Sequence, residues 1–187
     1  MAKGFDPEIL SKTFIKAAED TFSRLSKIAP SEPPTVKTQK VVEYEGRMSV
    51  AAMEKFNGPT YISSVSFYLN EQDRDKHRAK GALVLYLEAT NAEKILRAFG
   101  HPITEDEEEE ETLNSCGKLC TSLAEALNQS LAAQGNPQLI LSSPISDKNS
   151  LHGGVEFSAD QTQKQEISFS FWRKKALAVD VTLTSLR

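Results

Sequence analysis

The sequence predicts an α+β fold in which an antiparallel sheet of about six strands carries two long helices on one face. Three patterns support this expectation. Apolar residues recur at helical spacing from Leu10 to Leu25 and again from Leu113 to Leu131. Several runs outside these stretches alternate apolar and polar residues with the period of a strand. After the second long helix only strands follow, and the last two have one apolar and one polar face, as in antiparallel sheets covered on one side.

The first helix has a full set of start signals. Asp6 can cap it, Pro7 suits its first position and Glu8 suits the positive end of its dipole. Leu10, Phe14, Ala18, Phe22 and Leu25 then form an apolar stripe, and the helix is expected to end near Ile28, before Pro30. The stretch SEPPT (31–35) is a breaker. Residues 36–58 read two ways: KVVEYEG suits a strand, MSVAAMEKF a short helix, and Asn57-Gly58-Pro59 closes the segment as a turn. Residues 31–59 are taken as a variable insert or linker within a single domain spanning 1–187.

In YISSVSFYL, Val65, Phe67 and Leu69 alternate with Ser64, Ser66 and Tyr68, while GALVLYLEA is almost wholly apolar and reads as a central strand. The polar stretch NEQDRDKHR makes them a long-looped antiparallel hairpin. TNAEKILRAFG gives a short helix capped by Thr90 or Asn91 and ended by Gly100. Thr104 and Glu107 form the T-x-x-E capping box of the second long helix, which Gly135 ends. QLILSSPI is a strand up to Pro144, which forbids a central strand beyond it. GGVEFSAD is a short strand, and EISFSFW and ALAVDVTLTSL are longer ones with alternating faces.

Composition narrows the function classes. The chain has 187 residues, 39% of them hydrophobic and 26% charged, with a net charge of -4. These values suit a soluble globular protein, and no apolar run is long enough to span a bilayer. The acids concentrate in one run, without the basic face of a nucleic-acid binder. MAKGFDPEIL lacks the apolar core of a secretory signal, so a cytoplasmic location is expected. Cys116 and Cys120, four apart with no histidine near them in sequence, read as small core thiols rather than metal ligands. His77, His101 and His152 lie in three unrelated contexts and suggest no hydrolase triad. No metal site and no bound cofactor are expected.

One segment raises a chemical question. From 105 to 111 every residue is acidic, and the chain then turns apolar: PITEDEEEEETLNSCGK. The plain reading is a solvated helix start matched to the dipole. On a helical wheel, however, Glu111 and Asn114 share a face opposite the apolar stripe, with Lys118 beside them. One carboxylate and one carboxamide would then project together. A second E-x-x-N, ending at Asn128, falls toward the edge of the stripe and reads as chance.

The order of elements, with ETLNSCGKLCTSLAEAL as the second long helix, resembles the CheC/CheX/FliY family of chemotaxis phosphatases, and CheX most closely. The resemblance covers most of the chain outside 31–59. It maps the family's E-x-x-N to Glu111 and Asn114, its linking helix to the stretch ending in Ala98-Phe99-Gly100, and its proline after the next strand to Pro144. The resemblance implies hydrolysis of the aspartyl phosphate on a CheY-like response regulator. Asn114 would orient the attacking water, and Glu111 would pair with the partner's active-site lysine. Mg²⁺ would be held by the partner's acids. A homodimer is also implied, for which the chain-ending strands are expected to supply a free sheet edge. Lys118 stands where the family usually has glycine, here shifted to Gly117, and Ser115 is polar where the family is usually apolar. On the first helix, Glu8-Ile9-Leu10-Ser11 lacks the carboxamide of a second site. These departures keep open an alternative: a catalytically silent dimer that docks on response regulators through Glu111 and Lys118.

Overall fold

A computed structural model describes residues 4–26, 28–101, 108–158 and 160–186. The chain runs through α1 (Pro7–Leu25), β1 (Thr35–Lys40), β2 (Glu43–Tyr44), β3 (Arg47–Met48), a 3₁₀ turn (Ala52–Glu54) and β4 (Thr60–Tyr68). It continues through α2 (Glu71–Asp75), β5 (Gly81–Glu88), α3 (Ala89–Ala98) and α4 (Glu108–Ala133). It closes with β6 (Ile140–Leu141), β7 (Ile145–Lys148), β8 (Gln163–Phe171) and β9 (Lys174–Leu183). The main sheet has the order β1-β8-β9-β5-β4-β6, with β7 also on β4, and its pairings are all antiparallel. This is the predicted α+β architecture.

α1 begins where its cap requires. Asp6 Oδ1 accepts from the backbone N–H groups of Glu8 at 2.9 Å and Ile9 at 3.0 Å. Leu10, Phe14, Ala18 and Phe22 are buried, but the helix stops at Leu25, and that side chain faces outward. α1 packs beside α4 on one face of the sheet. Aromatic rings lock the layer: Phe22 meets Phe169 edge-on at 5.1 Å and Phe99 at 5.3 Å.

The other face of the sheet is where expectation and structure part. The alternating polar residues of β8 and β9 are not solvated. Residues 41–57 and 149–157 fold across them, and Met48, Val50, Phe56, Leu151 and Val155 pack on Ile62, Val84, Tyr86 and Ala178. The 31–59 segment thus supplies edge strand β1, which pairs with β8, and then a strap over the sheet. Beneath the strap lies a buried ionic cluster. Lys55 Nζ is 2.6 Å from Glu166 Oε2 and 2.7 Å from Asp180 Oδ1, and Lys164 Nζ is 3.1 Å from Asp180 Oδ2. The Tyr86 hydroxyl donates to Asp180 Oδ2 at 3.0 Å, and Lys175 Nζ donates to the Lys55 carbonyl at 3.0 Å. Burial opposes the charged form of Glu166, yet the hydrogen bond and charge of Lys55, helped by Lys175 and Lys37, hold its carboxyl below the usual range.

Other elements differ in detail. The polar loop of the β4–β5 hairpin contains α2, capped by Asn70. α3 starts at Ala89 directly from β5, and neither Thr90 nor Asn91 caps it. The QLILSSPI strand is reduced to β6, because Pro144 interrupts the pairing; β7 follows it as an edge strand on β4. GGVEFSAD contributes only a bridge between Val155 and Met48. β9, expected to leave an open edge, lies between β8 and β5; the sheet ends instead at β1 and at β6 and β7. Lys37 and Lys40 put exposed charges on the β1 edge, a pattern that discourages indiscriminate pairing.

Candidate functional site: the solvent face of α4

α4 is a rigid platform because its inner side is enclosed. Cys116, Leu119, Cys120, Leu123, Ala124, Leu127 and Leu131 are buried against the sheet. Leu113, expected in this stripe, is half-buried, whereas Thr112 and Ser115 are buried. Ser115 therefore occupies a packed position despite its polarity. Burial pushes the Cys116 thiol up to about 12 and raises Cys120 further, so both are inert core groups. Gly117 explains its own place: a Cβ there would lie 3.2 Å from Pro144 Cγ and 3.3 Å from Ser146 Oγ. The glycine thus lets α4 and the Pro144–β7 turn approach closely, which the neighbouring position does not require.

On the outer side, Asn114 and Lys118 are exposed one turn apart. The Asn114 carboxamide makes no hydrogen bond among the described residues, so its donor and acceptor both face solvent. Glu111 is half-buried and already engaged within the chain, so it is less free than the wheel suggested. The Thr104–Glu107 capping box lies outside the described residues.

His101, which sequence reasoning set aside, belongs to this face. Gly100 takes φ +82° after α3, and the next N–H, that of His101, returns to the Leu96 carbonyl at 2.8 Å. The ring is half-buried within reach of the Lys118 charge. Burial first and Lys118 second hold its imidazole below the usual histidine range, which favours the neutral ring. No motif marks His101; only the packing of α3 beside α4 brings it here.

The remaining candidates are structural. Asn128 of the second E-x-x-N is buried; its amide donates to the Leu139 carbonyl and its oxygen accepts from the Leu139 N–H, both at 2.8 Å. It fastens the chain entering β6 to α4. Asn128→Ala should lose about 2–3 kcal/mol in urea unfolding, because two buried backbone groups lose their partners; a loss under about 0.5 kcal/mol would contradict this role. Ser11 is buried too, donating to the Pro7 carbonyl at 2.8 Å, while Glu8 faces solvent and pairs with Lys12. The two residues of that stretch do not form a shared face. Among the described residues no group of three or more His, Cys, Asp or Glu is placed to share a metal ion, and no helix is long and apolar enough to cross a membrane.

No protein-family model matches the chain, and no curated protein does. Solved structures do match in fold. A chemotaxis protein CheX from Desulfovibrio desulfuricans is 14% identical with a TM-score of 0.59, covering 94% of this chain and 99% of that one. Thermotoga maritima FliY is 15% identical with a TM-score of 0.60, covering 96% and 89%. A chain of the CheX-CheY-BeF3-Mg complex from Borrelia burgdorferi is 12% identical with a TM-score of 0.56, covering 93% and 97%. The sheet, the helices on it and the place of α4 thus give the chain the fold of the CheX, CheC-like and FliY chemotaxis proteins.

Proposed function

We propose that this chain is a phosphatase of CheY-like response regulators, acting through the outer face of α4. The observation that carries the reading is Asn114: a carboxamide with no partner among the described residues, held in solvent by a helix whose inner side is fully packed. Support also comes from the matched fold of a CheX chain solved in complex with CheY. An acyl phosphate is already reactive, so the catalyst need only hold a water in line with phosphorus. A carboxamide offers both donor and acceptor without a charge to repel the phosphoryl oxygens. In this reading Asn114 enters the partner's site and orients the water. Glu111, one turn before it, pairs with the partner's active-site lysine and sets the register, exchanging its contact within this chain for that one. Mg²⁺ sits on the partner's acids. The protein works in the cytoplasm as a homodimer, and a strictly monomeric sedimentation profile at micromolar concentration would remove that last element.

The test follows loss of acyl phosphate from a CheY-like regulator with Mg²⁺ and an excess of this protein. Acceleration over the regulator's own decay is expected; binding without acceleration would favour the alternative. That alternative is a silent dimer that only docks, and Lys118 supports it, because a long cation stands exposed one turn from Asn114. Ser11→Ala separates one site from two. Its hydroxyl serves the Pro7 carbonyl inside α1, so the rate should stay near its starting value and stability should fall by about 1 kcal/mol at most. A large loss of rate would mean that α1 carries a second site.

A further inference from the structure

The β8–β9 hairpin turns on two residues, Trp172 and Arg173, with φ of +52° and +63°, while Phe171 and Lys174 pair across it. Two-residue hairpin turns of this hand require positive φ at both central positions, and Asn-Gly meets that requirement with least strain. A large aromatic followed by arginine is a poor choice for the fold alone. What the pair gains is placement. The turn lays the indole against α3, where Thr90, Glu93, Lys94, Arg97 and Ala98 complete an open groove with it. Lys94 Nζ sits 3.8 Å from the Trp172 ring centroid, and Arg97 is held by Glu93 at 2.5 Å. The indole stays 37% exposed, and Lys94, Arg97, Arg173 and Lys174 are all exposed around it. In a chain of net charge -4, this corner gathers cations around the only tryptophan. Tryptophan and arginine are the residues most often found at the energetic centres of interfaces.

We propose that this groove is a docking site for an acid-rich peptide segment of a partner protein. Carboxylates pair with Lys94 and with Arg97, which exchanges Glu93 for the segment, and an apolar side chain of the segment lies on the part of the Trp172 ring that Lys94 leaves exposed. The groove shares no residue with the Asn114 face, so the proposal stands or falls independently of the phosphatase reading.

Because Trp172 is the sole tryptophan, its fluorescence reads the groove directly. The full chain is titrated with the synthetic peptide PITEDEEEEE, chosen as a simple acid-rich probe, and separately with its uncharged counterpart PITQNQQQQQ. Phosphatidylserine vesicles form a third arm. A saturable change with the acidic peptide is expected, suppressed by salt and weakened at least ~10-fold in the Lys94→Glu/Arg97→Glu variant. Both substituted side chains are exposed, and the circular dichroism of the variant should match that of the parent. Calorimetry with Trp172→Ala gives a second readout and should show the same weakening. No response up to about 1 mM acidic peptide, an equal response to the uncharged peptide, or a response to vesicles alone would overturn the proposal.

Discussion

Asn114→Ala is expected to slow dephosphorylation of a CheY-like regulator by tens-fold or more while leaving the fold intact. The side chain is exposed and makes no hydrogen bond among the described residues, so its removal costs the folded state nothing specific. Alanine is the better helix former by up to ~0.7 kcal/mol, so stability should be unchanged or slightly raised. The rate loss corresponds to about 2–4 kcal/mol, typical of a lost polar contact that acts only at the transition state. Glu111→Ala should differ in kind, weakening regulator binding more than it slows the bound complex. Measuring both variants against one phosphorylated regulator, with denaturant melts alongside, separates the roles. Full activity in Asn114→Ala would remove the phosphatase mechanism proposed for α4.

Lys55→Ala should produce the largest loss of stability of any single change considered, about 3–5 kcal/mol in urea unfolding. The ammonium group is fully buried between Glu166 and Asp180, and its removal leaves carboxylates enclosed with only part of their compensation. Lys175→Ala is the control. It touches the same Glu166 at 3.7 Å from a position about one-third exposed, and should cost less than ~1 kcal/mol. The pH dependence follows from the sign of the Glu166 shift. Its carboxyl is held low in the folded state, so the stabilisation is present above the unfolded value of about 4.3 and is lost as pH falls through the lower folded value. The gap between parent and Lys55→Ala should therefore be full at pH 7 and narrow in acid. Were Lys55→Ala to cost under ~1 kcal/mol at pH 7, the strap would not depend on this cluster.

Local chemistry was legible in the sequence where local rules decide. Asp6, Pro7 and the Phe14–Phe22 spacing place α1, and the apolar run of β5 marks a central strand. Asn114 was placed on the outer face by periodicity alone, and the structure leaves it there. What escaped was set by distant contacts. A strand face lined with Glu166 and Asp180 has the same alternation whether those acids meet water or Lys55, so the second cover was invisible. The half-burial of Glu111, the arrival of His101 beside Lys118 and the two hydrogen bonds between Asn128 and Leu139 depend likewise on neighbours that no short pattern names.

The strand order bears on how the chain leaves the ribosome. β9 sits between β8 and β5, and β1 is held only by β8, so the middle of the sheet is synthesised after the strands it joins. Until then the β4–β5 hairpin has one edge of β5 open, and the apolar side chains of the strap find only Ile62, Val84 and Tyr86 to close upon, without Ala178 of β9. A nascent chain in this state presents an unpaired, apolar strand edge for the whole interval between β5 and β9, the condition under which mispairing and chaperone capture are most effective. A chain released before Gln163 is expected to leave β1 without a partner and one edge of β5 open, and to be held or degraded rather than folded.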